Sequence, residues 1–169
     1  MYKITPNPKN TYAKILALIS LLMGAGLFII ANLDIVDYPA VPQLFGIIFL
    51  TTAIYVASLF LLRRYTYSID LNTASENDEL DFIISERKGN RDVTVCRVGL
   101  NDIVAAREVN AQNKKQVNDE RKNMKRYTYD ASFIAPRRIE VICRLDEDDF
   151  SILIAYDEQL LSELNKSRQ

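Results

Sequence analysis

Between Ile15 and Leu62 the chain carries two apolar runs, Ile15 to Leu33 and Ala40 to Leu62, and neither contains a charged residue. A bilayer core takes roughly 20 apolar residues per helix, so each run is long enough to cross. In lipid every backbone N–H and C=O must find its partner within the segment, which leaves helix as the state of two isolated spans. The sequence therefore predicts a transmembrane α-helical hairpin over residues 15–62. Two other readings stand beside it. The first run lies where a cleaved signal peptide would, but it exceeds a usual signal core and a second run follows at once. A buried hairpin of a soluble protein would carry a polar face, and these runs show none.

Asp34, Ile35, Val36, Asp37, Tyr38 and Pro39 separate the runs, with Pro42 just inside the second. Aspartates and prolines here predict a short surface turn. Lys3, Lys9 and Lys14 precede the first run, and Arg63 and Arg64 follow the second. Basic flanks accumulate on the cytoplasmic side, so the expectation is a multi-pass protein of the cell membrane with both termini cytoplasmic. Residues 1–14 form the N-terminal cytoplasmic lead-in, with Met1 to Asn10 read as disordered, and residues 63–169 form a cytoplasmic domain.

Small residues recur within the runs: Ala13, Ala17, Ser20 and Gly24 in the first, Gly46, Ala53 and Ala57 in the second. Such spacing lets helix backbones approach closely in lipid, and Ala17, Ser20, Gly24, Gly46, Ala53 and Ala57 are the candidate helix-packing positions. Packing of one span on the other, a dimer, and contact with a larger membrane protein would all use this feature. Transport paths through membranes need intramembrane ionisable or polar groups, which are scarce here. The hairpin reads mainly as an anchor.

The chain has 169 residues, so about a hundred remain for one domain of ordinary size. Its net charge is −1, which gives no bulk attraction to nucleic acid, and nucleic-acid binding is not expected. There is no histidine, which removes the commonest general base and histidine-ligated metal sites. Cys96 and Cys143 are far apart, with no CxxC spacing, and read as packing residues. No paired catalytic constellation stands out, so the chain reads as a non-enzyme with no cofactor and no metal.

After Arg64 the pattern becomes short alternating segments, the period-2 mark of strands. Strands are expected at residues 65–71, 80–87, 92–98, 103–109, 126–133, 138–145 and 150–156, with a hairpin turn at Lys88-Gly89-Asn90 and another over Asp146 to Asp149. In the sixth, Ile139, Val141, Cys143 and Leu145 are expected inward and Glu140 and Arg144 outward. Asp157 reads as the N-cap of a final amphipathic helix with Leu160, Leu161 and Leu164 on one face. Asn110 to Lys125 lacks a pattern and reads as a mobile loop or a solvated helix.

Seven strands followed by a C-terminal helix resemble the pleckstrin-homology (PH) superfold, and their place behind two spans resembles the bacterial PH-like membrane proteins. The resemblance covers roughly the last hundred residues and rests on element order. It implies a mainly antiparallel, bent β sandwich plugged at one end by the helix; another small antiparallel barrel, or an open sheet with a helix on one face, would also satisfy the pattern. Phosphoinositide binding is not expected. The matching first-hairpin segment is Asn72 to Glu79, whose Glu76, Asp78 and Glu79 would repel phosphate.

Charge is expected to be polarised along this domain. Arg63, Arg64, Arg87, Lys88, Arg91, Lys114, Lys115, Arg121, Lys122, Lys125 and Arg126 are the candidate contacts with the lipid surface. Glu76, Asp78, Glu79, Asp146, Glu147, Asp148 and Asp149 form the opposite, acidic end and are the candidate partner-binding residues. A cation site at Asp146 to Asp149 lacks the glycine and spacing of an EF-hand. The functional expectation is a membrane-anchored interaction or scaffold module that contacts the bilayer and a protein partner or a second copy of itself. The alternative is an accessory or regulatory subunit of a larger membrane transport or secretion complex.

Overall fold

A computed structural model describes residues 2–33, 37–71, 79–122, 124–145 and 148–166. The chain divides into two compact units, one of Lys9–Arg63 and one formed by Met1–Pro8 together with Arg64–Gln169.

The first unit is a helical hairpin of α1 (Thr11–Ala31) and α2 (Ala40–Ala57), whose last turn, Ser58–Leu62, widens to π-helical spacing. Both helices are long and apolar enough to cross a membrane, at 21 residues for Thr11–Ala31 and 23 for Ala40–Leu62. Pro39 and Pro42 sit at the start of α2, where a missing N–H is tolerated. Of the expected inter-helix turn, residues 34–36 lie outside the described residues. Ala13, Ser20, Gly24 and Ala31 of α1 and Pro42, Gly46, Ala53 and Val56 of α2 are buried. Large apolar side chains such as Leu22, Ile29, Leu44 and Ile54 are exposed.

The second unit holds two four-stranded sheets. Sheet A runs β1 (Tyr2–Ile4), β2 (Tyr65–Leu71), β3 (Leu80–Lys88), β4 (Arg91–Gly99), each neighbour antiparallel. A short 3-10 turn, Leu100–Asp102, leads into sheet B, formed by β5 (Ile103–Asn110), β6 (Lys125–Tyr129), β7 (Arg137–Leu145) and β8 (Asp148–Ala155). Its spatial order is β5-β7-β8-β6, and β6 runs parallel to β8. Helix α3 (Lys114–Glu120) lies in the β5–β6 connection and α4 (Glu158–Lys166) ends the chain. Gly89, at φ 63°, makes the tight β3–β4 turn that pairs Lys88 with Arg91.

The seven expected strands are present with shifted ends, the largest shift being the fifth, which stops at Tyr129. The sheets are mostly antiparallel, and the β6–β8 pair departs from an all-antiparallel sandwich. The lead-in is not disordered throughout: Tyr2 pairs with Ile69 and Ile4 with Tyr67, and Thr5 and Thr66 share a 2.9 Å hydroxyl hydrogen bond. Three residues of alternation followed by two prolines are too short a pattern to show as a strand, and the long-range partner supplies what the local pattern lacks.

The inner faces of both sheets bury Tyr67, Phe82, Ile84, Ile139, Val141, Cys143, Ile152 and Ile154, closed by Leu160 and Leu164 of α4. The Tyr67 hydroxyl joins the sheets by donating to the Tyr129 carbonyl (2.6 Å) and accepting from the Ala155 N–H (3.1 Å). Asp157 caps α4 through the Leu160 N–H at 2.8 Å, and the same oxygen accepts the Tyr2 hydroxyl at 2.7 Å. Burial, with that bond, raises the Tyr2 phenol from about 10 to about 12.

Candidate functional site

Sheet B has an outer face that the alternation of its strands reads as solvated. Glu140 is instead fully buried, because α3 lies over that face with Val117 beneath it. Side chains of Asn110 and Asn113 start the α3 turn: Asn110 Oδ1 accepts the N–H groups of Gln112 and Asn113, and Asn113 Oδ1 accepts that of Asn110. Thus the unpatterned stretch holds a helix, one of the two expected alternatives, exposed at every residue of Lys114–Glu120 except Val117.

A charge network holds the cover in place. Arg107 donates to Glu140 at 2.8 Å and to Glu120 at 2.6 Å, and Gln116 donates to Glu120 at 3.1 Å. Arg121, just after α3, is 3% exposed and ion-paired with Glu140. Burial pulls the Arg107 guanidinium down, but its bonds to Glu140 and Glu120 leave it above its ordinary value. Arg121 is lowered by burial, with Glu140 opposing. The bond from Arg107 lowers Glu120.

Beside this network a cavity of about 410 Å³ opens between the outer face of sheet B, the start of α3 and the β6–β7 connection. Lys114, Arg121, Arg126 and Arg138 border it, and its lining contains no Asp or Glu. Arg138 is paired with buried Asp130 at 2.7 Å. The cations of this site were read from the sequence as lipid-facing loop charges, and Arg138 was missed. The available signal was Val117, with Met124 one of two large apolar residues in a polar stretch.

The predicted surface residues divide between the two ends of the β unit. At the end where Arg64 enters, its carbonyl accepts the Arg87 N–H at 2.9 Å, and the Lys88–Arg91 turn lies beside it. Tyr65 and Tyr129 meet edge-on there at 5.8 Å, which aligns this end of both sheets. The connection after Asn110 begins at this end with Lys114 and Lys115. It crosses the unit, so Lys122 and Lys125 fall at the other end, where Lys125 pairs with Phe150 in register. Lys125 sits 3.4 Å from Asp148, and Arg144 holds Asp149 at 2.7 Å. Of the expected lipid-surface cations, Lys122 and Lys125 therefore lie at the end opposite Lys114 and Lys115. Arg121 is buried and is not a surface contact. Glu79 is exposed, and Glu76, Asp78, Asp146 and Glu147 lie outside the described residues. Ile139, Val141 and Cys143 are inward as expected; Leu145, on their face at the end of β7, is exposed (57%), and Glu140 keeps the outer face but is buried there.

In the helical unit, a Cβ at Gly24 would lie 2.8 Å from Leu50 Cγ and 3.1 Å from the Gly46 carbonyl oxygen, and one at Gly46 would lie 2.9 Å from the Phe28 ring. Ser20 and Ala53 are buried, Ala17 and Ala57 half-buried. Gly24 and Gly46 thus lie in the α1–α2 contact. Cys143 is buried in the core, which pushes its thiol up to about 12, while Cys96 is half-buried and also raised by burial. No family model, no curated protein and no solved structure matches the chain.

Proposed function

We propose that the chain is a membrane-anchored, non-enzymatic interaction module, its β unit held at the cytoplasmic face of the cell membrane. The observation that carries this reading is the pairing of β1 with β2: strands that precede and follow the apolar hairpin are neighbours in one sheet. The two helices are therefore an excursion out of a folded unit and back to it, which fits two crossings and both termini on one side. The basic flanks favour the cytoplasm as that side. Element order supports a PH-like lineage for the β unit, with the parallel β6–β8 pair as a departure from it. The end opposite Arg64, with Glu79, Asp148 and Asp149, is the surface offered to a protein partner.

The alternative is an accessory or regulatory subunit of a larger membrane transport or secretion complex, and the packing of Gly24 and Gly46 within the hairpin lends it no support. Purification of the full-length chain in mild detergent, with intact-mass measurement of what accompanies it, tests the module reading. A stoichiometric protein partner that is lost on Glu79→Lys with Asp148→Lys supports it. A lone chain, or a partner indifferent to those changes, overturns it.

A further inference from the structure

The cavity on the outer face of sheet B, bordered by Lys114 near the end where Arg64 enters, is separate from the acidic end invoked above. Four cations border it, and two of them have carboxylate partners: Arg121 with Glu140, and Arg138 with Asp130. Lys114 and Arg126 have none among the described residues, so the lining carries about two uncompensated positive charges. Beneath them Arg121 is 97% buried by the complement of its 3% exposure, and its Nη2 has no hydrogen-bond partner among the described residues. That nitrogen is closed to solvent, so direct contacts with a ligand fall to the exposed Lys114 and Arg126.

We propose that this cavity binds a phosphomonoester carried on a small organic body. Such a group bears a charge of about −1.5 to −2 at neutral pH, which matches the two unpaired cations, and arginine forks suit its oxygens. Asn118 and Thr128 add hydrogen-bonding side chains to the lining. The volume, about 410 Å³, falls within the range of roughly 300–1,000 Å³ typical of small-molecule sites and exceeds what phosphate alone fills. Val109, Pro136 and Leu153 provide apolar wall for the organic part. The phosphate can belong to a soluble metabolite or to a lipid headgroup.

The test uses the full-length protein in mild detergent and two probes: glycerol 3-phosphate in solution, and phosphatidic acid mixed into the micelles. Glycerol and phosphatidylcholine are the respective controls, at constant ionic strength. Binding is read by calorimetry for wild type and for Lys114→Ala with Arg126→Ala. Both side chains are exposed and outside any ion pair among the described residues, so the variant is expected to fold. Saturable binding of glycerol 3-phosphate, weakened at least about tenfold in the variant, supports the proposal with a soluble ligand. Saturation by phosphatidic acid alone, with the same sensitivity, supports it with a lipid ligand. Binding equal in the variant and wild type, or no saturable binding of either probe, overturns it.

Discussion

Arg121 and Glu140 form an ion pair in which both side chains are almost fully buried, one just beyond α3 and the other in the middle of β7. This contact seats the β5–β6 connection on sheet B, with Arg107 as the second cation on the same carboxylate. Removing one partner of a buried pair leaves an uncompensated charge, at about 3–5 kcal/mol. Glu140→Ala is therefore expected to destabilise the β unit by about that amount. The double change Glu140→Leu with Arg121→Met is expected to be much closer to neutral. Near-ultraviolet circular dichroism on heating checks both, because detergent leaves the apolar helices to dominate the far-ultraviolet signal.

Tyr67→Phe removes the hydroxyl that bridges the two sheets and strips a partner from the Tyr129 carbonyl and the Ala155 N–H. The expected loss is about 1–3 kcal/mol, the cost of buried polar groups left unmade. Tyr127→Phe, at a residue 46% exposed, is expected to stay within about 0.5 kcal/mol of wild type, and a denaturant titration of both variants checks the difference.

Alkaline pH should weaken the fold through Tyr2. Its phenol ionises near 10 when unfolded and near 12 in the fold, so between these values the folded chain keeps a proton that the unfolded chain has lost. Its contribution is intact below pH 10 and fades as pH rises to 12. Tyr2→Phe is expected to lower stability at neutral pH, by loss of the bond to Asp157, and to flatten the alkaline decline in thermal midpoint.

Gly24→Val places a branched side chain against Leu50 and the Gly46 carbonyl, and should loosen α1 from α2. Gly26→Ala meets nothing within 4 Å and should be tolerated. The temperature at which each detergent-purified variant aggregates separates the two: lower for the first, unchanged for the second.

The proposed two crossings predict opposite labelling of the α1–α2 turn and α4. A cysteine at Asp37 should react with a membrane-impermeant thiol reagent in intact cells, and one at exposed Ser162 only after permeabilisation. The unsubstituted chain, with Cys143 buried, sets the background. Equal labelling of both positions in intact cells would count against the hairpin topology.

Local periodicity determined much of this chain from sequence alone. Uncharged runs of about 20 residues mark the two apolar helices, and period-2 alternation marks the seven strands after Arg64, because each pattern is written in neighbouring residues. Asp157 as a cap and Cys143 as core were legible for the same reason. Tertiary structure decided the rest. Alternation tells which residues of β7 share a face, but not that a helix from the β5–β6 connection covers the second face, so Glu140 read as solvent-facing and Arg121 as a loop charge. The pairing of Tyr2–Ile4 with β2, the parallel β6–β8 contact and the basic cavity likewise join residues distant in sequence. A polar group is buried only where remote partners satisfy it, and that condition leaves no period in the chain.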